Sequence, residues 1–197
     1  AAKTTGLSSC PSCKAGEFGT NCHLCPNGWY KFSTEFSKSC TACPAGFHQK
    51  NNGTSYCLPC APGEYASTTG RIACDSCAIG KFSKDPKAVA CNDCAQGRKG
   101  KETGLAFCLP CSAGTYESDL STCVECPQGW SQDATGKRNC KACPIGQSTK
   151  GKVGSMNCRL CQLGEFGSTI GTCAASPAGH YNDGKGQQAP NGCPTDT

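Results

Sequence analysis

CTACPAGFHQKNNGTSYCLPC, the stretch from Cys40 to Cys60, contains two Cys-x-x-Cys pairs separated by Pro-Ala-Gly, an aromatic residue and a polar loop. The same phrase is repeated along the chain. Pairs that begin 17 residues apart lie at Cys40, Cys57, Cys74, Cys91 and Cys108, and with small changes in length the pattern runs from Cys10 to Cys173. Self-similarity at a fixed short period indicates a tandem array in which each repeat is one small structural unit.

The composition indicates a cross-linked, loop-rich chain. Leu, Ile, Val and Phe make up 22 of the 197 residues, which is too few for a self-supporting hydrophobic core. The chain instead carries 22 Cys, 25 Gly and 12 Pro. Cysteine at this density persists as disulfides in oxidising compartments, so we expect a secreted protein or one exposed at the extracellular surface.

The charge pattern gives no sign of a nucleic-acid partner. The net charge of +5 is spread over the chain, and the nearest thing to a basic cluster is Arg98-Lys99-Gly100-Lys101. Binding a phosphate backbone needs several cations on one face, so we expect no nucleic-acid binding. The sequence has no run of 18 apolar residues, which predicts no membrane span in this segment. The first residues, AAKTTGLSS, lack the apolar stretch of a secretory signal, so we expect a removed signal or an internal piece of a longer chain.

Two further residue types recur in the repeats. A glycine follows three residues after the second Cys of each of ten pairs, as Gly28 follows Cys25, and this recurrence predicts a turn with positive φ. One or two residues later most repeats carry an aromatic residue, such as Phe47. We expect this ring to form the small apolar centre of its unit, beside a disulfide.

The sequence alone leaves the disulfide connectivity open, because the number of pairings grows quickly with the number of cysteines. Closing a Cys-x-x-Cys pair on itself would constrain almost nothing. Joining the second Cys of one pair to the first Cys of the next closes a loop of mostly 13 residues, and each such bridge is worth about 3 kcal/mol. This predicts the pairs Cys13–Cys22, Cys25–Cys40, Cys43–Cys57, Cys60–Cys74, Cys77–Cys91, Cys94–Cys108, Cys111–Cys123, Cys126–Cys140, Cys143–Cys158 and Cys161–Cys173.

Cys10 and Cys193 are left over by this pairing. After Cys173 the phrase is repeated once more with Ser176 in place of its second Cys, and we expect Cys193 to occupy the closing position of that unbridged last repeat. An interchain disulfide from Cys193 of one chain to Cys10 of the next would lock a head-to-tail filament. The alternative is that both cysteines pair with residues of a longer chain.

Cys-Pro-x-Gly-x-(Phe/Tyr), about eight polar residues and Cys-x-x-Cys together resemble the ephrin-receptor-like cysteine-rich repeat, a relative of the simplest disulfide module of tumour-necrosis-factor-receptor ectodomains. The resemblance covers roughly residues 10–181. It implies disulfide-closed, hairpin-like loops stacked end to end in an elongated rod, and the same cysteine pairing. Such repeats occur in receptors, matrix proteins and adhesins. The chain lacks the two-bridge crossed modules of ligand-binding receptors, which argues against a cytokine-receptor role.

Zinc is the main chemical alternative, because Cys-x-x-Cys pairs 12 to 20 residues apart also have zinc-ribbon spacing. Every interval here carries the same Gly-aromatic phrase and none has the character of a linker, so we favour disulfides and expect no metal or cofactor. His23, His48 and His180 are isolated from any nucleophile setting, so we expect no enzyme activity. Asn52 begins the one Asn-x-Ser/Thr sequon and is a candidate N-glycosylation site.

These observations predict a small disulfide-rich fold, an elongated rod of about eleven tandem loop or hairpin modules with little regular secondary structure. We expect an N-terminal segment over 1–9, tandem repeats over 10–173, and a degenerate last repeat with a Gly/Pro-rich end over 174–197. The predicted function is structural: an extracellular spacer, or the protomer of a fibril or surface appendage that associates head to tail. The alternative is a receptor or adhesin ectodomain that binds a protein or glycan. An exposed apolar patch on adjacent modules would favour that alternative, whereas uniformly polar loops would favour the spacer.

Overall fold

The computed structural model describes residues 13–33 and 39–194, and within these ranges it contains short β-strands and no helix. All strands except β13 and β14 span two residues. The strands are β1 (Glu17–Phe18), β2 (His23–Leu24), β3 (Trp29–Tyr30), β4 (Thr41–Ala42), β5 (Phe47–His48), β6 (Leu58–Pro59), β7 (Glu64–Tyr65), β8 (Asp75–Ser76), β9 (Lys81–Phe82), β10 (Asn92–Asp93), β11 (Arg98–Lys99), β12 (Leu109–Pro110), β13 (Thr115–Asp119), β14 (Thr122–Glu125), β15 (Trp130–Ser131), β16 (Lys141–Ala142), β17 (Gln147–Ser148), β18 (Arg159–Leu160), β19 (Glu165–Phe166), β20 (Ala174–Ala175), β21 (His180–Tyr181) and β22 (Asn191–Gly192).

Each odd-numbered strand pairs with the strand that follows it, so the sheets are eleven two-stranded hairpins. The first strand begins directly after the repeated glycine, and the second is formed by the two middle residues of the next Cys-x-x-Cys. In the hairpin of β3 and β4, for example, Trp29 lies opposite Ala42 and Tyr30 opposite Thr41. Two-residue hairpins are not stable alone in water, so the modules depend on their cross-links and on their neighbours. The predicted fold class, disulfide-rich with little regular secondary structure, is confirmed.

Ten disulfides close successive loops, and their Cα–Cα distances lie between 5.2 and 5.8 Å. They join Cys13 to Cys22, Cys25 to Cys40, Cys43 to Cys57, Cys60 to Cys74, Cys77 to Cys91, Cys94 to Cys108, Cys111 to Cys123, Cys126 to Cys140, Cys143 to Cys158 and Cys161 to Cys173. The first cysteine of every bridge is almost completely buried, whereas most of the second cysteines are partly exposed. The sulfur atoms therefore form much of the interior of each module.

We number the modules 1 to 11 by their opening residues, which are Cys13, Cys25, Cys43, Cys60, Cys77, Cys94, Cys111, Cys126, Cys143, Cys161 and Ser176. The turn glycine of a module lies three residues after the opening residue, and the inner position lies six residues after it. The array divides into two compact units, Ala1–Asn92 with Glu102–Phe107 and Asp93–Lys101 with Cys108–Thr197.

The turn glycines have positive φ in all ten disulfide-closed modules, between 77° and 89°, which confirms the turn that the sequence predicted. A second reason for glycine is close contact with the next module but one. In the first unit, a Cβ on Gly28 of module 2 would lie 2.2 Å from the carbonyl oxygen of Gly70 in module 4. In the second unit, a Cβ on Gly146 would lie equally close to the oxygen of Gly186. Modules within each unit therefore contact partners two places along the chain, a contact that the sequence did not predict.

Backbone hydrogen bonds connect each module to the next inside both units. In the first unit, Gly28 N donates to Gln49 O at 2.7 Å, and Gln49 N donates to Arg71 O at 3.0 Å. In the second unit, Gly114 N donates to Gln132 O at 2.7 Å, and Gln132 N donates to Ser155 O at 3.1 Å. Buried backbone groups need such partners, and here neighbouring modules supply them in place of a wide sheet.

The inner position is the second buried site of a module. Gln49 and Gln132 are its largest fully buried occupants, and each ties down its own loop: Gln49 Nε2 donates to Tyr56 O at 2.8 Å, and Gln132 Nε2 donates to Asn139 O at 2.6 Å. The other buried occupants are Lys31, Ala66, Ser83, Gly100, Glu117, Thr149, Gly167 and Asn182. Polar residues fit here because the position is surrounded by backbone carbonyl and N–H groups.

The aromatic rings do not form the module centres, which corrects the expectation from the sequence. Trp29 and Trp130 are 40% and 42% exposed, and Phe47 is only partly buried. The small hairpins have no second layer that would cover a ring, so each ring lies along the outside of its module. In module 3 the ring of Phe47 is contacted by the side chain of Lys87, whose Nζ lies 5.4 Å from the ring centroid.

Candidate functional site

The described residues contain no arrangement that resembles a catalytic or metal centre. No group of three or more His, Cys, Asp and Glu residues is placed to hold a metal ion in residues 13–33 and 39–194. His23 lies against Phe18 with a ring separation of 6.1 Å, His48 Nδ1 is 3.4 Å from Ile72 O, and His180 Nδ1 is 3.3 Å from Ala178 O. Each of the three histidines therefore has a local structural contact. Among the described residues, no helix has the length and apolar character needed to cross a membrane.

The surface of the array is more apolar than the polar loop sequences predicted. Large apolar side chains are exposed on most modules, from Leu24 in the first unit to Tyr181 in the second. The most exposed is Phe32, at 82%. Apolar side chains that lie together mark contact surfaces, and Val153 and Met156 lie together in the groove described below.

Module 9 departs from the repeat in a way that creates a groove. Its bridged cysteines are 15 residues apart, against 14 in module 8, and the extra residue is accommodated in a tight turn from Thr149 to Lys152. Lys150 and Gly151 at the centre of this turn both have positive φ, 52° and 72°, and Lys152 N donates to Thr149 O at 3.1 Å. Non-glycine residues rarely adopt positive φ, so this turn is a specific feature of the module.

Module 9 is attached to module 8 through a side chain, as module 7 is attached to module 6, where Gly97 N donates to Glu117 Oε2. In the two series of backbone hydrogen bonds described for the fold, the turn glycine of one module donates to the backbone oxygen of the inner residue of the next module. Gly129 N instead donates to the side-chain Oγ1 of Thr149, at 2.9 Å. The loop is anchored again further along, where Gly154 N donates to Cys126 O at 2.8 Å. The insertion is thus held in place by hydrogen bonds at both ends.

The space beside this turn is an open groove of about 370 Å³ in the second unit. Its charged lining residues are Lys150, Lys152 and Arg159, and its apolar lining residues are Val153 and Met156. The rest of the lining consists of Thr149, Gly154, Ser155 and Asn157. No carboxylate lies among these residues, so the groove is cationic with an apolar part.

A second open groove, of about 480 Å³, adjoins the first at Lys150. Ile170 supplies its apolar side chain, and Glu165 is its carboxylate. Glu165 Oε2 already accepts a hydrogen bond from Gln162 N at 3.0 Å. The two grooves share one lysine, so the turn of module 9 separates two recesses on the same unit.

Sequence reasoning missed this site, although one signal was present. The nearest thing to a basic cluster in the sequence is Arg98-Lys99-Gly100-Lys101, and in the structure Arg98 is used locally, donating through Nη1 to Cys108 O at 2.8 Å. Lys150 and Lys152 were read as ordinary loop lysines. The additional residue in the loop of module 9 was visible in the sequence, but module 2 has the same cysteine spacing, so spacing alone did not distinguish the site.

Cys193 lies at a different repeat position from the one expected. Its backbone N donates to Gly179 O at 2.9 Å, just as Cys43 N donates to Gly28 O at 2.8 Å, and β22 precedes it as β4 precedes Cys43. Cys193 is therefore equivalent to an opening cysteine, and Pro190 occupies the closing position of module 11. The placement of Cys193 as the closing cysteine was wrong because it was inferred from chain order without the strand register.

Module 11 has consequently lost both members of its bridge. Ser176 keeps the backbone contact of an opening cysteine, with its N donating to Gly164 O at 2.8 Å. Its Oγ is buried with no hydrogen-bond partner in the described structure. Cys193 is a free, exposed thiol. Cys10 lies outside the described residues, so its pairing with Cys193 stays a prediction.

Asn52 is exposed in the loop of module 3 beside Gly53, which has a φ of 66°. The sequon threonine, Thr54, is partly buried, and its Oγ1 has no hydrogen-bond partner in the described structure. An exposed asparagine at a loop tip is sterically open to a glycan. Glycosylation at Asn52 stays a prediction.

Comparison with known proteins gives the family. A family model described as "Tyrosine-protein kinase ephrin type A/B receptor-like" matches residues 19–56, 31–73 and 116–161, which together make up just over half of the chain. Among solved structures, a chain of the human RANKL/OPG complex is similar with 20% identity and a TM-score of 0.22, over 69% of this chain and 83% of that one. A search of curated proteins gave no match. The three matched segments contain four complete bridges, Cys25–Cys40, Cys43–Cys57, Cys126–Cys140 and Cys143–Cys158, and the chain belongs to the family of ephrin-receptor-like cysteine-rich repeats.

Proposed function

We propose that this chain is a non-catalytic extracellular domain of receptor or adhesin type that binds a protein partner. The family and the disulfide content are typical of extracellular, receptor-like repeats. The observation that carries the proposal is the exposed apolar surface, together with the cationic groove of module 9. A spacer needs neither feature, whereas protein-binding surfaces combine apolar contacts with charged groups that select the partner.

The rigid attachment of the loops supports the same function. Loops that are closed by a disulfide and bonded to the next module lose little conformational entropy on binding, and such preorganisation increases affinity. Binding residues on loops held by a rigid scaffold are a common arrangement in proteins. The array would act as the scaffold and the loop side chains as the contact surface.

A structural role as a spacer or fibril protomer is the second candidate. The ladder of backbone hydrogen bonds inside each unit favours it, because this ladder can be extended by further modules. Under this candidate, head-to-tail association would use Cys193 and Cys10 in an interchain disulfide. Replacing Cys193 with Ser would then remove the ladder of covalent multimers from non-reducing gels, while leaving the monomer band.

Selection from a displayed random-peptide library distinguishes the two candidates. The immobilised, oxidised chain should enrich peptides with a shared motif that compete with one another for binding. The fully reduced chain is the control, since its loops are no longer held in place. Failure to enrich any shared motif, together with regular filaments in negative-stain micrographs, would favour the structural role.

A further inference from the structure

Three cations and no carboxylate are among the residues that line the groove of module 9. Lys150, Lys152 and Arg159 are exposed, and none of them forms an ion pair within residues 13–33 and 39–194. The two salt bridges described elsewhere in the chain, Arg71 with Asp75 and Lys141 with Asp133, show that other cations have found carboxylate partners. Glu125 lies against Gly154, and Glu165 lines the adjoining groove, so the three cations exceed the two nearby carboxylates. The groove therefore keeps a net positive charge that an anionic ligand would complement.

The same groove has an apolar part that a purely anionic ligand would leave uncovered. Val153 is 53% exposed and Met156 is 56% exposed, and both line the groove. A volume of about 370 Å³ lies at the lower end of the range for binding pockets, which suits a few side chains more than a whole protein surface. Covering these two side chains with an apolar group would remove water from both surfaces and add affinity.

The walls of the groove are held in place before any ligand binds. The disulfide from Cys143 to Cys158 closes the loop that contains them. Thr149 is fixed by its hydrogen bond from Gly129 N, and Ser155 O accepts Gln132 N at 3.1 Å. Because these contacts restrict the loop, a ligand has little ordering cost to overcome.

We propose that the groove of module 9 binds an extended acidic peptide segment of a partner protein, with one apolar side chain placed against Val153 and Met156. The inference rests on the proposed protein-binding function and names the chemistry of the partner segment. Carboxylates on either side of the apolar residue would lie near Lys150, Lys152 and Arg159. A sulfated glycan would satisfy the cations but not the two apolar side chains, so the peptide is the better fit.

Met156 provides a direct probe, because it is the one methionine in the chain. The ¹³C-methyl resonance of Met156 is followed by NMR during titration with the blocked pentapeptide Glu-Asp-Leu-Asp-Glu. A saturable shift of this resonance is expected. Replacing Leu with Ser in the peptide should weaken binding about fivefold or more, because the apolar contact is lost.

The charge contribution is tested with matched variants of the full chain. The double variant Lys150→Glu with Lys152→Glu should weaken binding of the pentapeptide about tenfold or more. The control is Lys99→Glu with Lys101→Glu, which changes the net charge equally at the other basic loop and should leave binding within about twofold. Equal weakening in both double variants would mean general charge attraction and would overturn the groove assignment.

Two further outcomes overturn the proposal. One is an unshifted Met156 resonance at saturating pentapeptide. The other is tighter binding of a heparin tetrasaccharide than of the pentapeptide, which would assign the groove to glycans. Neither result bears on the proposed function if the peptide library yields a shared motif that maps to another module. A library without any shared motif would instead count against the proposed function itself.

Discussion

Two factors require glycine at the turn positions: the positive φ and the lack of space for a Cβ atom. Comparing two of these glycines distinguishes the two factors. Gly146 and Gly164 have φ values of 83° and 78° in neighbouring modules of the same unit. A Cβ on Gly146 would lie 2.2 Å from Gly186 O, whereas a Cβ on Gly164 would meet no atom within 4 Å. Most turn glycines resemble Gly146, so replacing them strains the contact between modules as well as the turn.

We predict that Gly164→Ala lowers the free energy of unfolding by about 1–2 kcal/mol, which is the cost of a left-handed conformation for a residue with a Cβ. Gly146→Ala should lower it further, because backbone atoms of module 11 must also move. Guanidinium denaturation of both variants, with the disulfides intact, measures the difference. Equal losses in the two variants would show that the contact between modules contributes nothing.

Asp119, at the tip of the hairpin formed by β13 and β14, has the most perturbed carboxyl group described. Hydrogen bonds from the Ser121 side chain and backbone, and then from Thr122, lower the pKa of Asp119 to about 2. A carboxyl group whose pKa is lower in the folded state stabilises that state above its unfolded pKa, and the stabilisation is lost as the pH falls through the folded pKa.

We therefore predict that the hairpin tip stays ordered at pH 4 and loosens as the pH falls towards about 2. Carboxyl ¹³C NMR of Asp119 should show a titration midpoint of about 2, well below the ordinary aspartate value of 3.8. In Asp119→Asn the amide signals of Ser121 and Thr122 should no longer change over this pH range. An Asp119 midpoint near the ordinary value of 3.8 contradicts the prediction.

Within a single module, the hairpin can form without a disulfide, as module 11 shows. Strands β21 and β22 form the same register as their equivalents, with His180 opposite Gly192 and Tyr181 opposite Asn191, although no disulfide closes the loop. The neighbouring modules therefore hold this hairpin. The equivalence of Ser176 and Pro190 to a bridged pair can be tested directly.

We predict that the double variant Ser176→Cys with Pro190→Cys forms an eleventh disulfide and leaves Cys193 as a free thiol. The new bridge should stabilise the module by about 3 kcal/mol through loop entropy. Ser176→Cys alone should leave the new thiol and Cys193 unpaired with each other. Disulfide mapping by mass spectrometry measures both. A bond from position 176 to Cys193 in the single variant would restore Cys193 to the closing position and refute the register given above.

The sequence predicted those features of the modules that recur as the same type of residue. The cysteine spacing and the turn glycine recur with the same residue in every disulfide-closed module, so their roles could be inferred. The inner position was missed because Lys31, Ala66 and Glu117 have no side-chain chemistry in common. What they share is a place among backbone groups of the next module, and only the packing shows it.

The groove of module 9 was missed for a related reason. Its sequence signal is one additional residue, and the effect of an insertion depends on which turn absorbs it. The turn from Thr149 to Lys152 does so with Lys150 at positive φ, which residue type alone would not predict. Contacts between modules two places apart were also beyond sequence reasoning, because they depend on how successive hairpins are rotated.

Across the whole molecule, the contacts between modules reach at most two places along the chain in the interactions described above. Repeat proteins with such short-range contacts lose stability locally, because each repeat depends mainly on its neighbours. Removing one disulfide should therefore affect a limited set of modules. Module 9 is the informative place for this test, since its disulfide also closes the loop of the proposed binding groove.

We predict that Cys143→Ala with Cys158→Ala increases amide hydrogen exchange in modules 7 to 11 and leaves modules 1 to 3 unchanged. Module 7 is included because Gly114 approaches Gly154 of module 9, and module 11 because Gly146 approaches Gly186. The matched control, Cys43→Ala with Cys57→Ala, should show the reverse pattern, with modules 1 to 5 affected. Hydrogen exchange with mass spectrometry, after quenched reduction of the remaining disulfides, resolves these segments. Equal loss of protection throughout the chain in both variants would mean that the modules unfold as one cooperative body, and the range of two modules would then have to be abandoned.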